Sequence, residues 1–187
     1  MADYNKNNRS GGYGKSGGFN GSGNKSNFGG TGNSGSGGNG GAGGTVVSLP
    51  VGYLTNGYHK ADGSDDLDYI LKFAKDIGNK LTNDRTTGVS KIRSYYDTVV
   101  TCKEAMYNGM MDVATAKKRI SKLIPNIHSR FDKGTASALF RDFITENVNY
   151  VIYKSNDDAE FKRNLTDFCD HFEAVVCYIK TSTKTNR

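Results

Sequence analysis

The chain has little of what several protein classes require. Its 187 residues include no tryptophan, two prolines and three cysteines. Because an odd number of cysteines gives no paired disulfide framework, we expect a protein of a reducing compartment. No run of about eighteen apolar residues predicts a membrane span, and the first residues lack the apolar core of a signal peptide. These absences together predict a soluble, cytoplasmic protein.

The common catalytic motifs are missing as well. No serine lies in a nucleophile elbow, and no glycine-rich phosphate loop ends in Lys-Ser or Lys-Thr before a helix. Glu173 lacks a second carboxylate at a fixed separation, so a structural ion pair explains it better than a general acid does. Asp167 and His171 lie one helical turn apart, but two ligands are fewer than a zinc site needs. The sequence therefore predicts no catalytic residue, no metal and no cofactor.

Branched apolar residues are nearly absent from the first 44 positions, which hold 17 of the 24 glycines. Such a segment cannot offset the entropy of ordering its backbone, so residues 1–44 are predicted to be a disordered tail rich in Gly, Asn and Ser. Its single aromatics and cations would suit stacking on unpaired bases, although a flexible linker is the simpler interpretation. Residues 45–63 are predicted to be an irregular linker or docking arm, and residues 64–183 the folded domain.

Apolar residues in the folded region recur at intervals of three and four, which is typical of amphipathic helices. This spacing predicts helices from about 65 to 82, from a Thr87 cap to about 108, from Asp112 onward, from 136 to about 153, and from Asp157 or Asp158 to about 181. No two strand-like runs flank a hairpin turn. The predicted fold is all-α, a compact antiparallel bundle of five or six helices that follows the disordered Gly-rich tail.

Single residues refine this bundle. Pro125 lies inside the third predicted helix, where it removes a backbone donor and crowds the preceding turn, so we expect a kink or a break into two short helices. Leu67, Ile70 and Leu71 belong to the buried stripe predicted for the first helix, and Tyr96 belongs to that of the second.

Positive charge is concentrated between positions 84 and 141. This segment has eleven basic and five acidic residues, a surplus of +6, while the whole chain has a formal net charge of +6. Such a surplus indicates an anionic partner, although basic residues also serve simply to solvate a helix surface. Outward cations on rigid helices suit a phosphate backbone and do not read bases. The candidate RNA-binding residues on the later helices of this segment are Lys118, Arg119, Lys122, Arg130, Lys133 and Arg141.

Two further candidates lie on the second predicted helix. Lys91 and Arg93 flank its apolar stripe on opposite sides, so a single RNA-binding surface would not use both.

The last predicted helix carries a sequence motif that resembles the closing helix of the small subunit of type III-A CRISPR interference complexes. That motif consists of an aromatic residue, two spacer residues, an aromatic pair, Glu-Ala, an apolar pair, and a Tyr followed by a Lys. The matching positions are Phe168, His171, Phe172, Glu173, Ala174, Val175, Val176, Tyr178 and Lys180. A second motif of the family has two threonines that open a helix, followed by Ile-Arg. Its matching positions are Thr86, Thr87, Ile92 and Arg93. The resemblance covers roughly residues 65 to 183.

The resemblance implies a non-catalytic, all-α subunit of an antiviral ribonucleoprotein. Members of this family stack in several copies, head to tail, beside the backbone subunits of a complex that also contains a large polymerase-like subunit. They help to hold guide RNA and target RNA without cleaving either. The family motif also has an Arg at the position of Arg93, which favours Arg93 over Lys91 as the RNA contact.

Two other functions remain open from the residues alone. The chain could be a free-standing binder of single-stranded nucleic acid whose Gly/aromatic tail makes the contacts and whose bundle dimerises. It could also be a protein-only adaptor whose charge serves solubility.

Overall fold

The fold is known from a computed structural model that describes residues 47–179. These residues form one short π-helix and six α-helices: the π-helix Tyr69–Phe73, α1 Ala74–Asn83, α2 Val89–Tyr107, α3 Val113–Ser121, α4 Leu123–Asp132, α5 Ala138–Tyr153 and α6 Asp158–Tyr178. Within this range the extended pairing is limited to an isolated antiparallel bridge between His59 and Asp65. The predicted all-α fold is confirmed. The predicted tail, residues 1–44, lies outside the described residues.

Helix α6 lies at the centre of the bundle, where it packs against α1, α2, α5 and the π-helix. The apolar stripe predicted from its spacing is buried, and Phe168 and Phe172 are completely inaccessible to solvent. Phe172 meets Phe143 of α5 edge to face, with ring centroids 5.0 Å apart, a favoured geometry for aromatic pairs. The core is therefore built largely from phenylalanines on α5 and α6.

The prediction for the first helix was wrong over its first turns. Leu67, Ile70 and Leu71 were placed on the buried stripe, but they are 56%, 40% and 58% exposed. Leu67 lies in the turn before the first helix. Ile70 and Leu71 lie in the π-helix, whose wider turns change the angular spacing of side chains before α1 begins. Tyr69 is buried instead, and its hydroxyl accepts a hydrogen bond from the Leu54 amide at 3.0 Å.

Two of the predicted helix starts have the expected cap, and that of α2 does not. Asp112 and Asp157 cap α3 and α6 as predicted. Thr87 does not cap α2, which has Gly88 at its N-cap. The Thr87 hydroxyl is instead buried and accepts a hydrogen bond from the Ser137 amide at 2.8 Å. It therefore joins the turn before α2 to the start of α5.

The break expected near Pro125 is confirmed. Helix α3 ends at Ser121 and α4 begins at Leu123, which leaves Pro125 in the first turn of α4. A proline is tolerated there because the first amides of a helix have no intrahelical acceptor.

Helices α1 and α6 cross closely at Gly78. A Cβ atom built on Gly78 would lie 2.7 Å from Tyr178 Cβ and 2.9 Å from the Val175 carbonyl oxygen. Both distances are shorter than real Cβ contacts allow, and the second obstacle is backbone that cannot rotate away. Only glycine permits this approach.

The segment before the π-helix packs on the bundle through a buried polar network. Tyr53 Oη lies 2.7 Å from His171 Nε2, and His171 Nδ1 lies 2.8 Å from the Tyr69 carbonyl oxygen. Because a carbonyl only accepts, Nδ1 carries the proton and Nε2 accepts from Tyr53. Burial lowers the pKa of His171 to about 4, so the imidazole is neutral in this network.

Asn147 of α5 completes the network. Its Nδ2 group donates to Tyr53 Oη at 2.8 Å and to the Phe143 carbonyl oxygen at 2.6 Å. Its Oδ1 atom accepts from the Tyr58 hydroxyl. Tyr58 is 4% exposed, so residues of the region predicted as a linker or docking arm belong to the core of the described structure.

Candidate nucleic-acid interface

A polar groove of about 580 Å³ lies between α2 and α4. Its α2 wall consists of positions spaced by three and four, which fall on one face of that helix. Positions on α4 and in the turn after it form the opposite wall. The lining residues are Lys91, Ser94, Tyr95, Thr98, Leu123, Asn126, Ser129, Arg130, Lys133 and Thr135.

The charge of this groove has one sign. Three of its lining residues are cations, and none of the described residues that line it is acidic. Lys91 is half-buried, and its Nζ donates to the Thr135 carbonyl oxygen at 3.4 Å. Arg130 and Lys133 are exposed. The remaining polar groups are hydroxyls and one amide, so the groove favours a ligand rich in acceptor oxygens.

Tyr95 adds a buried donor to the groove. The residue is 6% exposed, and its hydroxyl oxygen is buried without a well-aligned hydrogen bond to residues 47–179. Burial raises the pKa of Tyr95, and the nearby Arg130 guanidinium opposes that rise. The hydroxyl therefore keeps its proton at neutral pH and lies beside Arg130 beneath the groove surface.

The predicted RNA-binding residues divide into two groups. Lys91, Arg130 and Lys133 come together in the groove. Lys118 and Arg119 at the end of α3, and Lys122 at its junction with α4, are exposed but lie outside the groove lining. They form a separate basic surface, which we call the α3 ridge.

Arg93 and Arg141 lie in neither place. Arg93 is exposed on α2 but is not among the groove residues. The groove contains Lys91 instead, the candidate that the family motif did not favour. Arg141 is engaged within the protein. Its guanidinium pairs with Asp142 at 2.7 Å and lies 4.1 Å from the centre of the Phe131 ring.

Sequence reasoning missed the neutral residues of the groove. The second stripe was assigned to Tyr96, but Tyr96 is half-buried against Phe172, and Tyr95 is the more buried of the two. The signal was present in the spacing of Lys91, Tyr95 and Thr98, which places them on one face of α2. This spacing did not lead to a predicted groove, because hydroxyl groups on a helix usually face solvent.

Asp167 and His171 do not form a site together. His171 is buried and bonded to Tyr53 and the Tyr69 carbonyl. The Asp167 carboxylate instead lies 2.9 Å from Nε2 of His59.

A membrane-crossing role finds no support in helices α1 to α6. None of the helices among residues 47–179 has both the length and the apolar character needed to span a bilayer.

Comparison with known proteins identifies the family. Neither the curated proteins nor the solved structures include a match to this chain. The family model described as Csm2 Type III-A matches residues 64–185, which is well over half of the chain and spans the π-helix and all six α-helices. The chain therefore belongs to the Csm2 family and is a small subunit of a type III-A CRISPR complex.

Proposed function

We propose that this small subunit holds guide RNA or target RNA by the sugar-phosphate backbone, through the groove between α2 and α4. The single observation that carries the proposal is the convergence of donors in that groove. Lys91, Arg130 and Lys133 supply positive charge, and the Ser, Thr and Asn side chains of the lining supply neutral donors. Phosphate and ribose oxygens are the acceptors that such a lining suits.

The groove would bind RNA without reading its sequence. Tyr95 is its one aromatic side chain among the described residues, and at 6% exposure it offers no open ring face for a base to stack on. Exposed cations on the α3 ridge would extend the contact along the same strand. In this account Arg93 contributes less than Lys91, and Arg141 contributes least because Asp142 already neutralises it.

The subunit acts in this proposal as a non-catalytic, cytoplasmic component of antiviral defence. Its partners are guide RNA, target RNA, the backbone subunits, the large polymerase-like subunit and further copies of itself stacked head to tail. Head-to-tail stacking requires two different patches that differ from the RNA face. Leu67 and Leu71, which are 56% and 58% exposed on the side of the π-helix, offer apolar area for one such contact.

The proposal is tested by measuring the affinity of a labelled single-stranded RNA by fluorescence anisotropy. Arg130→Ala and Lys133→Ala should each weaken binding about tenfold, and by the same factor for two unrelated RNA sequences. Lys75→Ala removes an exposed cation of α1 that lies outside the groove, so it is the matched control and should change affinity less than about twofold. Equal losses for all three variants would contradict a specific role for the groove.

Deletion of residues 1–44 separates this function from that of a free-standing binder that uses its tail. If the groove is the binding site, most of the RNA affinity survives the deletion. Near-total loss of affinity would favour the tail.

A further inference from the structure

A histidine and two carboxylates meet where the segment before the π-helix contacts α6. His59 Nε2 lies 2.9 Å from Asp167 Oδ2, and His59 Nδ1 lies 3.3 Å from Asp65 Oδ1. One possible ligand atom from each of the three residues falls within 4.8 Å of the others. The cluster lies apart from the groove and is not used by the proposed function.

The backbone holds this cluster in place. His59 and Asp65 face each other across an isolated antiparallel bridge, and the Asp66 amide donates to the Tyr58 carbonyl oxygen at 2.9 Å beside it. Asp167 belongs to α6, the central helix of the bundle. Groups carried on such a frame need little reorganisation to bind a ligand.

The hydrogen bond from His59 to Asp167 leaves the second ring nitrogen, Nδ1, without a partner near the Asp65 carboxylate. A carboxylate only accepts, so the short contact with Asp167 places a proton on Nε2. In the neutral imidazole, Nδ1 then carries a lone pair, and Asp65 Oδ1 lies 3.3 Å from it. This Nδ1 atom is buried and, even at that distance, makes no hydrogen bond with the rest of the described chain. A lone pair and a carboxylate oxygen at this separation can both bind one cation.

Asp167 fixes the orientation of the imidazole, because its carboxylate oxygen lies 2.9 Å from His59 Nε2 and accepts the proton that this nitrogen carries. Histidine ligands of metals commonly donate their second N–H group to a carboxylate in this way.

We propose that a divalent transition-metal ion such as Zn²⁺ binds between His59 Nδ1 and the Asp65 carboxylate, with Asp167 as the positioning residue that orients the imidazole. An imidazole with carboxylate oxygens suits Zn²⁺ or Co²⁺ better than Mg²⁺, which prefers oxygen ligands and keeps its water. Two ligands alone are too few for a zinc site, so an oxygen of Asn56 or Asp66, which line the same open cleft of about 470 Å³ as His59, would supply the third. Water would complete the coordination shell.

Entry of the ion needs no opening of the fold. The Asp65 side chain is 80% exposed, so it can turn toward the ion while the less exposed His59 and Asp167 stay fixed. The bound ion would hold together the two sides of the turn that joins His59 to Asp65.

The test is titration of the full chain with ZnCl₂ by calorimetry and with CoCl₂ by visible absorption. All proteins carry Cys177→Ser, because Cys177 is an exposed free thiol that would itself bind these ions. Asp65→Asn and His59→Gln each remove a ligand. Asp62→Asn makes the same charge change in the same turn and keeps the oxygen that accepts from Ser64, so it is the matched control.

The expected result is saturable binding of one ion by the parent and by Asp62→Asn, with affinity at least about tenfold weaker in Asp65→Asn and His59→Gln. Asp65→Asn keeps the proposal falsifiable if His59→Gln fails to fold, because Asp65 is exposed. Asp167→Asn should weaken Zn²⁺ binding while the Co²⁺ absorption bands keep their positions, since the ligands themselves are unchanged. Absence of saturation below about 1 mM Zn²⁺, or equal binding by the parent and Asp65→Asn, would overturn the proposal.

Discussion

The buried His171 makes the stability of the fold dependent on pH. Its pKa is lowered from 6.5 to about 4 by burial, so between these values the unfolded chain binds a proton that the folded chain excludes. One pKa unit is worth about 1.4 kcal/mol, and the difference corresponds to about 3 kcal/mol. This stability is fully present above pH 6.5 and is lost as the pH falls from 6.5 toward 4.

The structure gives the cause of the loss. Protonation would turn Nε2 from an acceptor into a donor, and Tyr53 could then no longer donate to it. The free energy of unfolding, measured by urea titration at several pH values, should therefore fall by up to about 1.4 kcal/mol per pH unit in this window. An NMR titration of the His171 ring should give an apparent pKa near 4.

The perturbation that isolates this effect is His171→Asn. The asparagine Nδ2 group can still donate to the Tyr69 carbonyl, but the side chain does not titrate. The variant should be less stable at pH 7.5 by about 2–4 kcal/mol, since it leaves a cavity and removes one acceptor of the Tyr53 hydroxyl proton. Its stability should also fall less steeply below pH 6.5. The control is His128→Gln, which removes an exposed histidine and should keep the wild-type slope. Parallel slopes for wild type and His171→Asn would refute the reasoning.

Two further substitutions test the packing. Gly78→Ala should destabilise the protein by about 1–3 kcal/mol, because the added methyl would meet the Val175 carbonyl. Gly88→Ala, which meets open space, should cost less than about 1 kcal/mol by the same urea titration, and equal costs would contradict the close crossing of α1 and α6. Asn147→Leu should cost about 2 kcal/mol or more, because the buried Tyr58 hydroxyl loses its acceptor. Adding Tyr58→Phe to that variant should recover part of the loss, and strict additivity of the two changes would count against the network.

Much of the bundle could be predicted because its signals are local. Periodic apolar residues fixed the type of each helix, and Asp112 and Asp157 marked two helix starts through hydrogen bonds that span only three residues. Pro125 marked the break for an equally local reason, the loss of its own amide donor.

The errors arose where distant residues decide the outcome. Thr87 is bonded to Ser137, fifty positions away, and a single sequence gives no sign of that partner. Leu71 is exposed because a π-helix changed the phase of the predicted stripe, and Leu67 is exposed because the helix begins after it. Where this helix begins depends on how Tyr69 meets the segment that precedes it. Local sequence patterns do not show which distant residues will pack together.

In the candidate groove, too, local features could be predicted and long-range packing could not. Lys91, Arg130 and Lys133 were identified by their charge, but their meeting across two helices depends on how α2 and α4 are placed. The arrangement also separates them from Arg93, on which the resemblance placed more weight. Tyr95 was not identified, because its burial beside Arg130 in the groove depends on how α2 and α4 pack.

The central claim is that cations of the groove between α2 and α4 bind RNA phosphates. The most direct measurement is the slope of log affinity against log salt concentration for wild type and for the double variant Arg130→Ala with Lys133→Ala. Each lost phosphate contact on a single strand should reduce the slope by about 0.7, so the double variant should be less steep by about 1.4. An unchanged slope, or wild-type binding that does not depend on salt, would contradict the claim.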